Sequence, residues 1–290
     1  MINLTNYHEK IRFRLPATVI CCLLGLLCLT GKTQAADYML VFAKVPDVGA
    51  DTTPIHDTDP EANYRLNGDY LRSYPRDLKR VLLRPASWNK QDLKRASLVV
   101  AGTGLLLLGD REINRFVARN QTTAVGEITT VIEPFGNTYP PLILTGLYLT
   151  GLITKNRKLE HASLATAKSL GVSTVIYIAV KSVIRRQRPF RTGNPYNFAA
   201  PFSQKGYNSF PSGHTNTVFC VATAMSLEYR HVTWVPYVSY SIATITALSR
   251  LYQNRHWASD VFFGAALSHF VTKAVYNRMT PKVKEKMPVP

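Results

Sequence analysis

The 290-residue chain is predicted to fold as an all-α helical bundle with an irregular N-terminal extension, and three observations carry this prediction. Apolar residues recur at helical spacing from about residue 91 to residue 278. Signals for β-strands are sparse over that region, and no internal repeat or low-complexity tract interrupts it. The composition, 46% hydrophobic and 18% charged, is too apolar for a disordered chain and is sufficient for a substantial core.

The first 35 residues have the layout of a secretory signal peptide. Basic residues between positions 10 and 14 precede an apolar run over 17–29, and Thr-Gln-Ala at 33–35 supplies a small-residue cleavage site. We expect cleavage after Ala35 and export of the remainder, to the periplasm if the source is bacterial. An uncleaved anchor is the alternative, although the apolar run is short for a full span. Cys220 would be the only cysteine of the mature chain, which rules out a disulfide within it.

Two regions follow the leader. Residues 36–90 form the extension, in which the stretch DTTPIHDTDPEAN at 51–63 is typical of an irregular loop. The helical domain is predicted over 91–280. Its helices are expected at 91–108, 110–134 with a break near Asn120, 141–154, 158–185, 212–229, 234–252 and 256–278.

The apolar segments leave two environments open. The longest uncharged stretches, 135–154 and 232–249, approach the roughly 20 apolar residues of a membrane span, but both contain proline and several hydroxyl groups. The other apolar stretches are shorter. We therefore expect buried core helices of an exported, mostly soluble domain, with an integral membrane protein as the alternative.

The charge balance is strongly basic. Lys and Arg total 35 against 18 Asp and Glu, for a formal net charge of +17. A chain of this charge attracts phosphate groups, acidic lipid surfaces or nucleic acid. No recognisable nucleic-acid motif is present, so nucleic acid is not expected as a partner.

Three short stretches carry candidate chemistry. In KSVIRRQRP, Lys181 lies seven residues before Arg188, two helical turns away, so both cations can lean toward one point. In FPSGHT, at 210–215, Ser212 is placed to cap a helix whose N-terminus would attract an anion. In SRLYQNRHWASD, His256 and Asp260 are four residues apart and share a helix face, where the carboxylate can hold the ring.

Each stretch also has an ordinary explanation when it is taken alone. The basic stretch could be a solvated helix end, Pro-Ser-Gly-His a capped helix start, and the His–Asp pair a structural contact. The occurrence of all three in one chain favours a common anion site.

Together the stretches resemble the signature of the type 2 phosphatidic acid phosphatase and vanadium haloperoxidase superfamily. That signature reads Lys-x6-Arg-Pro, then Pro-Ser-Gly-His, then Ser-Arg-x5-His-x3-Asp. All eleven specified positions are present in this chain, as Lys181, Arg188, Pro189, Pro211, Ser212, Gly213, His214, Ser249, Arg250, His256 and Asp260. The resemblance covers roughly residues 95–278.

The resemblance implies a helical-bundle phosphatase that uses a histidine nucleophile and needs no metal or other cofactor. His256 would attack phosphorus with Asp260 orienting it, and His214 would protonate the leaving alcohol. The phosphate oxygens would be held by the side chains of Lys181, Arg188, Ser212 and Arg250 and by the backbone amide of Gly213. Vanadate would bind there as a phosphate mimic.

Several alternatives remain at this stage. A metal hydrolase is disfavoured because the motif region has no His-Glu-x-x-His, no paired cysteine and no carboxylate cluster. A vanadium-dependent haloperoxidase and a non-catalytic phosphate-binding protein stay open. The expected substrate is a phosphorylated lipid handled at the membrane surface, with a soluble phosphomonoester as the alternative.

Overall fold

The structure is a computed structural model that describes residues 65–203 and 206–280. The predicted leader and residues 36–64 of the extension lie outside these ranges. Within them the chain forms α-helices and short 3₁₀ turns and no β-strand. The helices are α1 (Gly68–Leu83), α2 (Lys90–Arg119), α3 (Thr123–Ile132), α4 (Tyr139–Ile153), α5 (Arg157–Ile184), α6 (Gly213–Glu228), α7 (Trp234–Tyr252) and α8 (Ala258–Met279).

The all-α prediction is confirmed, and one helix boundary is corrected. The expected break between residues 108 and 110 is absent, because α2 runs without interruption from its capping box at Asn89 to Asn120. A glycine within a helix costs only about 1 kcal/mol relative to alanine, so Gly109 does not end α2. Asn120 does end it, as expected.

The extension is not irregular over Gly68–Leu83, where the chain forms α1. The side chain of Asn67 accepts a hydrogen bond from the backbone N–H of Tyr70 at 2.8 Å and begins the helix. Pro75 lies inside α1 and obscures its helical pattern in the sequence. Packing compensates for the helix-breaking effect of Pro75, because Tyr74 and Leu78 contact the buried faces of α5 and α8.

The helices place all three sequence motifs at one end of the bundle. Helix α6 is central, with no exposed side chain, and it packs against α5, α7 and α8. The C-terminal ends of α5 and α7 meet the N-terminal ends of α6 and α8. The described parts of the loop after α5 and the loop after α7 therefore face each other. Asp110, twenty residues into α2, contacts this same end, so Lys90 lies about 30 Å away toward the other end.

Small and hydroxyl-bearing side chains fill the interior. Many of them are fully buried, and they come from α5, α6, α7 and α8: Ser163, Thr166, Ser169, Ser173, Thr215, Thr223, Thr246, Ser268 and Thr272. Several of the hydroxyls donate to the backbone carbonyl four residues earlier, as Thr166 does to Ala162 at 2.6 Å. Small side chains let the helix backbones approach closely.

Large apolar side chains lie on the outside, in what we call the apolar belt. The belt comprises Leu98, Leu105, Leu108, Leu142, Leu149, Ile153, Val175, Ile178, Tyr237, Leu248, Phe262 and Phe270. Leu105 and Leu108 are each 71% exposed. Among the described residues, Arg157–Ile184 is the one helix whose length and composition would suffice to cross a membrane.

A buried ion cluster fastens α1 to the bundle. Asp77 faces the ammonium of Lys168 in α5 at 3.4 Å and also pairs with Arg278 in α8. Lys168 donates to the hydroxyl of Ser73 at 2.5 Å, and its ammonium lies 4.6 Å from the centre of the Tyr70 ring. Both Asp77 and Lys168 are buried, so each charge depends on its partners.

Replacing Asp77 by asparagine keeps the side-chain shape but leaves the buried Lys168 without its carboxylate. We expect the free energy of unfolding to fall by about 3 kcal/mol or more, measured by thermal unfolding of the purified protein. The control is Asp69→Asn in the same helix, because Asp69 pairs with Arg72 in full contact with solvent. Equal melting temperatures for the two variants would contradict this role of Asp77.

Candidate active site

The first motif supplies two cations at the end of α5. Lys181 donates from its ammonium to the carbonyl oxygens of Asn208 and Pro211, each at 2.7 Å. An ammonium has three N–H donors, so one remains for an anion. Arg188 follows α5 on an extended segment, and its Nε atom is buried with no hydrogen-bond partner among the described residues. Because α5 ends at Ile184, Lys181 lies in its last turn and Arg188 lies in the loop that follows.

The second motif forms the start of α6. Ser212 is the N-cap, and its hydroxyl oxygen accepts from the backbone N–H of Thr215 at 3.4 Å and from the Thr215 hydroxyl at 2.9 Å. Both lone pairs are thereby used, and the hydroxyl proton of Ser212 stays free to donate. A Cβ atom at Gly213 would meet the ring of Tyr177 at 3.4 Å. His214 is the next residue of this helix.

The third motif spans the end of α7 and the start of α8. Arg250 is 1% exposed, and its guanidinium donates to the Ser249 hydroxyl at 3.0 and 3.1 Å. The Nδ1 atom of His256 faces the Oδ2 atom of Asp260 at 3.7 Å, as the four-residue spacing predicts. The other ring nitrogen of His256, Nε2, is therefore the one available to a ligand.

Asp260 is held by groups that the sequence pattern did not single out. Arg186 donates to its Oδ1 atom at 2.7 Å, and the Ser209 hydroxyl donates to its Oδ2 atom at 2.5 Å. The backbone N–H of Trp257 also donates to Oδ2, at 2.9 Å. Arg186 carries a second ion pair, with Asp110 of α2 at 2.7 Å. Arg186 belongs to the basic stretch, but nothing in the sequence pointed to Asp110 or Ser209 as its neighbours.

Glu133 is a further site residue that sequence reasoning missed. It opens a 3₁₀ turn, Glu133–Gly136, directly after α3. Its Oε1 atom lies 3.1 Å from Nη1 of Arg250 and 3.7 Å from Nε2 of His214. A Cβ atom at Gly136 would come within 2.5 Å of the His214 ring, so only glycine allows the turn to lie this close. No sequence motif marks this turn.

Burial and the surrounding cations keep both imidazoles neutral at neutral pH. Burial lowers the pKa of His256 to about 4, against the opposing effect of Asp260. Burial also lowers the pKa of His214 to about 4, with Arg250 and the His256 ring acting in the same direction. A neutral imidazole has a free lone pair, so His256 is prepared to act as a nucleophile.

The arrangement therefore brings all eight predicted site residues to one end of the bundle. It combines cations, a helix N-terminus and two imidazoles, which suits a tetrahedral oxyanion. In the part of the chain that the structure describes, no three His, Cys, Asp or Glu side chains are grouped as metal ligands.

Comparisons with known proteins agree with this arrangement. Residues 162–284 match the model of the PAP2 superfamily. A lipid A 1-phosphatase of Porphyromonas gingivalis is 30% identical over 190 residues, which make up 64% of this chain and 38% of that protein. An undecaprenyl-diphosphatase of Sulfolobus acidocaldarius is 25% identical over 161 residues, 56% of this chain and 74% of that protein. The chain thus spans little more than a third of the length of the first relative.

A solved structure shares the fold. The transmembrane PAP2-type phosphatidylglycerolphosphate phosphatase of Bacillus subtilis matches with a TM-score of 0.50 at 20% identity, over 66% of this chain and 99% of that chain. The family match begins inside α5 and includes all three motifs. Over residues 162–284, the chain is therefore similar to the PAP2 superfamily that its three motifs indicate.

Proposed function

We propose that this chain is a metal-independent phosphatase that hydrolyses phosphate esters of lipids through a phosphohistidine intermediate. The observation that carries the proposal is the buried, neutral ring of His256, which faces Asp260 at 3.7 Å beside the cations Lys181 and Arg188. Anion binding alone would not need a neutral imidazole held by a carboxylate.

In the first step, the lone pair on Nε2 of His256 attacks phosphorus. The bond from phosphorus to the ester oxygen breaks, and its electron pair goes to that oxygen. His214, in its protonated form, gives the oxygen a proton, so that a neutral alcohol leaves. Asp260 stabilises the positive charge that develops on the His256 ring.

In the second step, water attacks the phosphohistidine. His214 takes a proton from the water, the N–P bond breaks with its electron pair returning to His256, and inorganic phosphate leaves. Lys181, Arg188 and Arg250 stabilise the charge on the phosphate oxygens in both steps, together with Ser212 and the Gly213 amide. This charge stabilisation needs no divalent ion.

The apolar belt supports a lipid substrate and a place in the membrane. A water-soluble helical bundle buries most of its large apolar side chains, whereas this one exposes many of them and buries many small hydroxyl residues. We therefore favour the alternative of an integral membrane protein over a mostly soluble domain and propose that the belt contacts the hydrocarbon of a bilayer. The site lies at one end of the bundle, where a lipid phosphate would meet it. Export to the periplasm stays a prediction.

The names of the relatives support the same substrate class. One relative is a lipid A 1-phosphatase and another is an undecaprenyl-diphosphatase, so both names denote enzymes that act on phosphorylated lipids.

The haloperoxidase alternative uses the same site with vanadate bound in place of phosphate. Vanadate should inhibit a phosphatase, and peroxide-dependent halide oxidation in its presence would favour the haloperoxidase instead.

The catalytic proposal is tested by hydrolysis of phosphatidate and of a water-soluble phosphomonoester, with EDTA present throughout. We expect release of inorganic phosphate that is insensitive to EDTA and faster from the lipid. His256→Ala should lower turnover by about 10⁴-fold or more, while vanadate still binds, because the cations remain. Undiminished turnover by the variant would refute a histidine nucleophile, and a wild-type protein that binds vanadate without turnover would be a binding protein only.

The membrane proposal is tested by fractionation of cells that express the full chain. The protein should stay in the membrane pellet after washing with alkaline carbonate and should be released by detergent, because the belt buries apolar surface in lipid. Recovery of active protein from the carbonate supernatant would return the interpretation to a soluble domain at the membrane surface.

A further inference from the structure

Glu133 lies on the side of the site where the leaving group must depart. In the proposed reaction, His214 protonates the leaving oxygen, and its Nε2 atom is buried with no hydrogen-bond partner among the described residues. We take this nitrogen as the donor, so the leaving oxygen has to come within hydrogen-bond distance of it. The Oε1 atom of Glu133 is 3.7 Å from the same nitrogen. A leaving group in contact with Nε2 of His214 therefore comes close to a carboxylate.

The position of Glu133 is set by packing. Gly136, three residues later, lies against the His214 ring so closely that a Cβ atom would come within 2.5 Å of it. Phe135 packs against Val218 and Ala222 of α6, the helix that carries His214. Arg250 binds the carboxylate itself at 3.1 Å. The turn and the ring of His214 are thus held together as one unit.

Glu133 also influences whether the ring of His214 is protonated. Burial has the largest effect on the pKa of this ring and lowers it, and the charged or titratable groups that act on it are Arg250 from α7, His256 and Arg188 from the loops, and Glu133 from the turn. The first three disfavour the protonated ring, and Glu133 favours it. A general acid has to be protonated, so Glu133 assists the step in which an alcohol is expelled.

Phosphate monoesters and diphosphates differ at this point. When the ester bond of a monoester breaks, the electron pair goes to an alcohol oxygen, which needs the proton of His214 and leaves as a neutral molecule. When the bond between the two phosphates of a diphosphate breaks, the pair goes to the bridging oxygen of a phosphate monoester. That group is a stable anion, so it needs no proton, and it bears its negative charge beside Glu133.

We propose that Glu133 is a specificity-determining and positioning residue that makes this phosphatase prefer lipid phosphate monoesters to lipid diphosphates. The inference rests on the proposed function. Glu133 acts twice in the same direction: it favours the protonated form of His214 that an alcohol leaving group needs, and it repels an anionic leaving group. The carboxylate of Glu133 thus selects among substrates by the charge of their leaving groups.

The test compares two lipids that differ by one phosphate, dioleoyl phosphatidate and dioleoylglycerol diphosphate, in the same detergent micelles. The wild-type protein should show the higher kcat/KM for phosphatidate. Glu133→Gln should raise the ratio of diphosphate to monoester kcat/KM by about tenfold or more, because activity on phosphatidate falls and activity on the diphosphate does not. The decline of kcat for phosphatidate on the alkaline side of its pH profile should begin at lower pH than in the wild type, because His214 loses its proton more readily without Glu133.

Two control variants separate specificity from structure. Glu127→Gln removes one negative charge from the exposed face of α3, six residues earlier, and should leave the ratio unchanged. Glu133→Asp keeps the charge and should stay close to the wild-type ratio.

Each outcome has one meaning. An unchanged ratio in Glu133→Gln, an equal loss of both activities, or a wild-type protein that prefers the diphosphate would overturn the role of Glu133 while leaving the phosphatase intact. A wild-type protein inactive on both lipids would instead remove the proposed function, and this inference with it.

Discussion

One buried cation, Arg186, organises the end of the molecule that carries the candidate site. Its guanidinium is fully buried and lies between the carboxylates of Asp110 and Asp260, with 2.7 Å to each. It also donates to the hydroxyl of Ser259 and to the carbonyl of Pro195. Charges removed from water in this way are tolerated only when every partner is in place. The start of α8, the middle of α2 and the loop after α5 are therefore assembled together or not at all.

This assembly explains how the site is prepared before any ligand arrives. Asp260 is fixed by Arg186, Ser209 and the backbone of Trp257, so its carboxylate is already oriented toward His256. The backbone N–H of Ser212 donates to the carbonyl of Asp260 at 3.1 Å, which joins the second and third motifs. A catalytic group that is held by its surroundings loses little freedom when it reacts.

The distribution of side chains connects the fold to the proposed substrate class. Small residues inside let the helices approach until their backbones touch, and at Gly264 a Cβ atom would lie 2.8 Å from the carbonyl of Ser212. Many large apolar side chains then lie on the outer surface. In the proposed membrane setting, the charged end of the bundle meets lipid headgroups, and the belt meets their chains. Recognition of a phosphorylated lipid would thus be shared between the loops and the helix surfaces.

The sequence by itself determined most of the helices beyond residue 91 and the eight candidate site residues, because caps, apolar periodicity and motif spacing are local properties of the chain. It did not reveal α1, which contains Pro75 and is fastened to the bundle by Asp77 meeting Lys168 and Arg278. Arg186 meets Asp110 across 76 residues, and Arg250 meets Glu133 across 117. The tertiary structure alone decided those pairs, and it alone decided which apolar faces remain uncovered, since burial depends on neighbours that are distant in the chain.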